Sequence, residues 1–437
     1  MTALLTLALA VAVDTVATPD LSHPWGLEEC ISWALENNLS VVQQEMSRQN
    51  SEIDLNSAQW SLAPSVQASA SENWSFGRGL GGDNTYASGN SSTTGFSIGG
   101  GVNLFDGLAT PNRISQARLN LDAATADLEK ARDDIRVAVA RAYVQILYNY
   151  EIVDVARQQI SIDSLQVARL EGMMASGKAS SAQVSQQKAS LAQSQVTLVQ
   201  AENNLRVAIL DLAQLLEFPI WEGFEVVRPD VQVDDFYLGH PDDIYDEACG
   251  LRPAIRAEQL RLDASEKTIA IAKAGYMPSL SLSAGLGTNY YSNYGGKGFW
   301  DQMNDNFSQY IGLSLNIPIF NKFSTRNQVR SAELNRTAQK VRLRQVQQQL
   351  YKEIQQAWNG AVAARAKYDA SMMAADAAQD AFDLVQAKYE NGKATITEFN
   401  ESRSQMLKTR SDAIQATYEY VFQTRLVNFY RGGTINL

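Results

Sequence analysis

Two periodicities alternate along this chain. In residues 66–76 the apolar side chains fall at 66, 68, 70, 74 and 76, with Gln67, Ser69, Ser71, Asn73 and Ser75 between them. Phe96, Ile98, Val102 and Leu104 alternate with Ser97, Gly99, Gly101 and Asn103. Leu280, Leu282, Ala284 and Leu286 alternate with Ser281, Ser283 and Gly285, and Ile311, Leu313, Leu315 and Ile317 with Tyr310, Gly312, Ser314 and Asn316. A two-residue period places one set on each face of a pleated strand, so strands are predicted at 65–76, 94–105, 279–290 and 308–319. Each is about 10 residues long, the length a tilted strand needs to cross a bilayer.

Between the strands the period lengthens. Ile135, Val139, Ala142, Ile146, Val153 and Ile160 recur at spacings of three, four and seven, as in coiled-coil packing. Residues 112–176, 178–216, 327–391 and 393–430 hold no proline and are rich in Ala, Gln, Leu, Arg and Glu, all good helix formers. A helix of 60 residues is about 90 Å long. Ser176-Gly177-Lys178 and Asn391-Gly392-Lys393 supply the stops, with glycine where a helix ends in a left-handed residue. Taken alone, these helices would fit a coiled-coil rod.

The chain repeats itself. Phe105-Asp-Gly-Leu-Ala-Thr-Pro-Asn112 aligns with Phe320-Asn-Lys-Phe-Ser-Thr-Arg-Asn327 at an offset of 215, and the same offset carries Gly177-Lys-Ala-Ser180 onto Gly392-Lys-Ala-Thr395. An offset of 214 carries Pro64-Ser65 onto Pro278-Ser279. Each half therefore reads helix, strand, strand, long helical hairpin: a first repeat at 18–217 with its hairpin at 112–216, and a second at 238–437 with its hairpin at 327–430. The acidic segment 218–237 joins them.

The strands shift the reading away from a rod. Their apolar face has no second sheet to cover it, while the other face is small and polar, which suits a lipid-facing wall around a wet lumen. Trp74, Phe76, Tyr290, Tyr291 and Trp300 fall where strands meet loops, as in an interfacial aromatic girdle. The loops expected there, 77–93 and 292–306, are rich in Gly, Asn and Ser. Four strands cannot close a barrel, and bare edges cannot face lipid. The functional unit is therefore expected to pool strands from two chains or three. No run reaches the roughly 18–20 apolar residues of a spanning helix. Residues 3–13 are apolar apart from Thr6, which suggests a signal peptide over 1–17, although no Lys or Arg precedes Arg48.

Composition removes other classes. The net charge of −11 argues against a nucleic-acid partner. His23, His240, Cys30 and Cys249 are the whole histidine and cysteine content and offer no metal-ligand spacing, so no metal or cofactor is expected. Two separate buried thiols are favoured over a disulfide. Gly77-x-Gly79-x-x-Gly82 matches a dinucleotide fingerprint, but Asp83-Asn-Thr-Tyr86 opens no helix to receive a pyrophosphate, so a flexible loop is expected there. Ser185-Gln-Gln-Lys188 lies mid-helix without the partners its motif needs. Nothing here forms a catalytic set, and an enzyme is not expected.

In the order and duplicated spacing of its features, nearly the whole chain resembles the TolC-like outer membrane efflux family. The features are the strand entries at Pro64 and Pro278, the exits Asn103-Leu-Phe-Asp-Gly107 and Asn316-Ile-Pro-Ile-Phe-Asn321, and the Gly-Lys-Ala turns at 177 and 392. The resemblance implies a mainly α fold with membrane β: a homotrimer with a 12-stranded barrel in the outer membrane and a 12-helix tunnel in the periplasm. It also implies a channel that exports small molecules or proteins, served by a periplasmic adaptor that docks at the turns (Gly177, Lys178, Gly392, Lys393) and by an inner-membrane pump. Tyr389, three residues before Gly392, and Glu398 and Glu401, six and nine after it, match the family's periplasmic gate. Gln183 and Gln186 face the same end. The arginine that well-known members carry two residues after the glycine is Ala394 here, and the acidic partner of the first half is Gln183. The alternative is a surface coiled-coil adhesin or envelope-spanning structural protein, which would conduct no ions.

Overall fold

The structure, a computed structural model, describes residues 19–80, 85–229, 233, 238–292 and 297–435. The expected signal peptide lies outside them. In chain order the elements are α1 (Leu27–Asn37), α2 (Leu39–Trp60), β1 (Ser65–Leu80), β2 (Tyr86–Phe105), α3 (Ala109–Ala175), α4 (Ser181–Leu215), α5 (Pro241–Leu251), α6 (Pro253–Ala274), β3 (Ser279–Tyr291), α7 (Phe299–Asp305), β4 (Ser308–Asn316), α8 (Ser324–Glu390) and α9 (Ile396–Tyr430). α3 and α8 have 67 residues each, and α4 and α9 have 35 each. At 1.5 Å per residue the longer pair run about 100 Å.

Three expectations change. The first two strands run on to Leu80 and start at Tyr86, so most of the expected loop at 77–93 is a paired ribbon. Its Gly, Ser, Asn and Thr residues read as turn formers, yet their backbone groups bond across the hairpin, with Gly77 and Gly79 inside β1 opposite Gly89 and Ala87. The expected loop at 292–306 contains the helix α7. α3 starts at Ala109, so Pro111 stands inside it; in the first turn its missing N–H has no partner to lose.

The chain divides into two compact units. One comprises residues 1–46, 127–255 and 346–437 and is helical. Its core joins Trp25, Cys30 and Ala34 to Val139, Tyr143 and Ile146 of α3, Leu212 and Leu216, Phe218, Phe224, and Phe422 and Phe429 of α9. Three residues of the expected connector, Phe218, Phe224 and Val226, are thus core, with Phe218 and Phe224 packed edge-on at 5.1 Å. The carbonyls left over at the end of α4 are met by side chains: Trp33 Nε1 donates to Leu216 O at 2.9 Å and Asn38 Nδ2 to Leu215 O at 3.0 Å. Cys30 and Cys249 are both free thiols; burial pushes the Cys30 thiol up to about 12, whereas Cys249 is only half-buried.

The other unit, residues 47–126 and 256–345, holds an antiparallel four-stranded sheet in the order β1-β2-β3-β4. Each repeat leaves the sheet through the same turn. Gly107-Leu108 and Lys322-Phe323 are consecutive left-handed residues with φ between 55° and 69°. Asp106 Oδ2 accepts from Thr110 N at 2.8 Å, and Asn321 Nδ2 donates to Thr325 Oγ1 at the matching position. Gly107 also sits where side-chain atoms cannot fit, since a Cβ there would lie 2.7 Å from Ala274 O and 2.7 Å from Met277 Cβ.

Candidate functional site: the sheet wall and the hairpin tips

The register aligns the two faces predicted from alternation. Val66, Gly100, Ala284 and Ile311 form one row of the apolar face, and Ala68, Ile98, Leu286 and Gln309 the next. The face is open: Ile311 is 82%, Leu313 65% and Leu315 60% exposed. Leaving such a side chain exposed in water forfeits about 1.5–3 kcal/mol each, so a face this long calls for an apolar neighbour. Glu72, a charged residue on this face, accepts from Thr94 Oγ1 across the hairpin. On the opposite face Ser69 and Ser97 share a hydrogen bond of 2.7 Å, and Tyr310 leans over Gly285. Among the described residues β1 and β4 each pair on one side only. Trp74 and Phe76 lie on the part of β1 beyond the last β3 row rather than at a strand–loop junction, because Tyr291 reaches only Thr93, opposite Asn73.

At the far ends of the hairpins the two tips share one backbone design. Lys178 N donates to Met173 O at 2.8 Å and Gly177 N to Met174 O at 2.9 Å; Lys393 N donates to Lys388 O at 2.8 Å and Gly392 N to Tyr389 O at 3.0 Å. This paired closure needs a left-handed residue, and Gly177 and Gly392 have φ of 73° and 70°. Each following helix begins with a capping box, Ser180 with Gln183 and Thr395 with Glu398. Two expected gate residues therefore hold helix N-termini. Glu398 is fully exposed, and the Thr395 amide donating to it at 2.8 Å holds its carboxyl below the usual 4.5. Glu401 and Gln186 are also exposed on α9 and α4, and Lys178 and Lys393 on the turns.

Tyr389 is half-buried. Its ring stacks on Phe399 at 4.9 Å, beside Phe382, Ile396 and Met406, and burial pushes its phenol above 10. Arg169 of α3 reaches this tip: its guanidinium lies 5.8 Å from the Tyr389 ring centre and donates to Glu390 O at 3.3 Å. Lys188, from the S-x-x-K match, pairs with Glu171 at 2.7 Å.

One polar centre escaped sequence reasoning. Asp163 of α3 is wholly buried and accepts from Gln159 Nε2 at 2.8 Å, Gln187 Nε2 at 3.0 Å, Ser194 Oγ at 2.6 Å and the buried Arg403 of α9. It joins three helices. The signal was present, since Ala156, Gln159, Asp163, Gln166 and Leu170 continue the buried stripe of α3 at spacings of three and four. Polar residues at three of those positions break the apolar pattern. Among the described residues no group of three or more His, Cys, Asp or Glu could hold a metal ion, and no helix is long and apolar enough to cross a membrane.

The profile of the family described as outer membrane efflux protein matches residues 30–216 and 244–427, one stretch per repeat. Among curated proteins the chain is similar to the outer membrane efflux protein BepC of Brucella suis, 21% identical over 322 residues, covering 73% of this chain and 67% of BepC. Other curated relatives are matched over 38–64% of their length. Among solved structures, the Campylobacter jejuni CmeC outer membrane channel superposes with a TM-score of 0.81 at 17% identity, over 94% of this chain and 86% of CmeC. The outer membrane protein VceC of Vibrio cholerae gives 0.78 at 20%, over 94% and 97%. At such identities the likeness concerns the fold, whereas the profile covers both repeats. The chain belongs to the outer membrane efflux protein family, and with it to the outer membrane.

Proposed function

We propose that three copies pool their sheets into one 12-stranded barrel, continued by 12 helices through the periplasm, and that the assembly conducts solutes outward. The observation that carries this reading is the open sheet: its apolar face is exposed and, among the described residues, each outer strand pairs on one side only. Lipid suits the face, and only closure onto further copies satisfies the edges. The tips, each closing two helices of 67 and 35 residues, are the docking points for a periplasmic adaptor fed by an inner-membrane pump. Glu398 and Glu401, exposed and three residues apart on α9, place six carboxylates in a trimer. Charge of one sign at a constriction attracts cations.

In planar bilayers the purified protein should conduct and prefer cations, and Glu398→Gln with Glu401→Gln should weaken that preference. A protein that stays monomeric in detergent and conducts nothing would overturn the duct. Unchanged selectivity in the double variant would remove only the gate assignment.

A further inference from the structure

The two strand-to-helix turns differ in charge. In the first, the carboxylate of Asp106 lies within the turn and accepts from Thr110 N. At an offset of 215 its counterpart is Asn321, which is neutral and donates to Thr325 Oγ1. The same offset replaces Gly107, Pro111 and Ser115 by Lys322, Arg326 and Arg330. One turn thus holds its own anion, whereas residues 321–330 carry three cations and no carboxylate. We infer that the second turn binds the phosphate headgroup of an anionic phospholipid in the periplasmic leaflet of the outer membrane. The inference rests on the sheet spanning that membrane, as proposed above.

The three cations share one face. Spaced by four residues, they drift only about 40° per step around a helix, whereas Arg113 and Arg118 of the first repeat, five residues apart, stand about 140° from each other. Lys322, Arg326 and Arg330 are all exposed, and among the described residues none of them is in an ion pair, not even Arg330 with Glu333. Further along α8, Arg336 and Arg342 do find carboxylates on α6, Glu266 at 3.2 Å and Glu258 at 3.3 Å. Side chains on a helix tilt toward its N-terminus, and the N-terminus of α8 is its sheet end. Arg326 and Arg330, about 6 and 12 Å along the axis from Lys322, therefore lean back toward the membrane on stems long enough to carry their charge to it. Lys340, about 27 Å along, is out of a headgroup's reach.

The adjoining surface suits the rest of a lipid. The apolar alternation of β4 continues past Asn316 in Ile317 and Ile319, the latter 93% exposed. Phe320 and Phe323 follow, both exposed, with their rings edge to face at 5.5 Å. The Arg326 guanidinium lies 5.7 Å from the centre of the Phe323 ring. Exposed aromatic rings beside a cluster of cations are what a membrane interface selects. Acyl chains can lie along the isoleucines, with the rings at the boundary and the phosphate among the cations. A guanidinium offers a phosphate two parallel donors, and a headgroup without an ammonium of its own leaves that attraction undiminished.

Native mass spectrometry of the full chain in detergent, with phosphatidylglycerol or phosphatidylcholine added at equal concentration, should show about tenfold more of the anionic lipid retained. Lys322→Gln, Arg326→Gln and Arg330→Gln together should bring the two lipids level. Lys340→Gln, Arg344→Gln and Lys352→Gln remove the same charge from exposed positions further along α8 and should leave the preference as it is. Equal retention of the two lipids by the parent, an unchanged preference in the first triple variant, or the same loss in both variants would overturn the site while leaving the duct intact. Displacement of the lipid by millimolar inorganic phosphate would make this a site for free phosphate and overturn the lipid assignment. A chain that inserts into vesicles of neither lipid would overturn the membrane wall itself, and the duct with it.

Discussion

The two hairpins have the same backbone and different interiors. Both tips close with glycine at φ near 70°, and both following helices start with a capping box. Yet α8 and α9 are packed near their tip by Phe382, Phe399, Met406 and Tyr389, whereas α3 and α4 meet around Asp163, Gln187 and Ser194. The aromatic cluster can form from one hairpin alone. The polar centre cannot: its charge is balanced by Arg403, which comes from α9. A repeat can therefore copy its turns while its interior changes to bind the other copy. Apolar packing would hold either hairpin together, but a buried carboxylate commits the first hairpin to the second, since a lone buried charge is far costlier than a paired one.

The largest effect should come from splitting that pair. Asp163→Ala leaves Arg403 buried without its counter-charge and should cost about 3–5 kcal/mol in urea unfolding of the detergent-solubilised protein. Asp163→Leu together with Arg403→Met should cost far less. If the single and double variants lose the same amount, packing rather than charge joins the hairpins.

The tips themselves should respond alike. A Cβ at Gly177 or Gly392 would meet nothing within 4 Å, so the penalty of Gly→Ala is only that of the left-handed backbone, about 1 kcal/mol at each. Unequal thermal shifts for the two variants would show that one tip is braced by more than its own turn.

The smallest difference is one of pH. With its folded pKa held below the usual 4.5, Glu398 contributes stability that is fully present above that value and lost as pH falls through the lower folded pKa. Gln183, in the same role, carries no titrating group. Amide hydrogen exchange at 396–399 should therefore quicken below pH 4.5 while exchange at 181–184 does not follow. Parallel behaviour of the two segments would mean that the carboxylate adds nothing to the cap.

Much of this organisation was legible in the residues. Alternation located the four strands, because each must show one face to an apolar and one to a polar surrounding. The glycines at 177 and 392 marked the tips, because few other residues tolerate their backbone. What stayed hidden depends on contacts distant in sequence. Asp163 and Arg403 are 240 residues apart, and neither type announces a core position. The outer half of the β1–β2 ribbon was hidden for a different reason. Small polar residues favour turns locally, and only pairing along the full hairpin, Trp74 with Ser92 through Leu80 with Tyr86, makes them strand.

Tyr310 gives the sheet one more property. Its ring lies so close over Gly285 that a Cβ added there would come within 2.8 Å of its Cε1. The neighbour beyond, Gly99, is also bare, so the ring rests in a shallow tray of backbone on the polar side of the wall. In the duct proposed above, three such rings would lie flat against the inner surface. The bore at that height would then be governed by a residue with no side chain. Gly285 leaves room for the tyrosine to lie down, and the smallest addition there would stand it upright into the path of whatever passes.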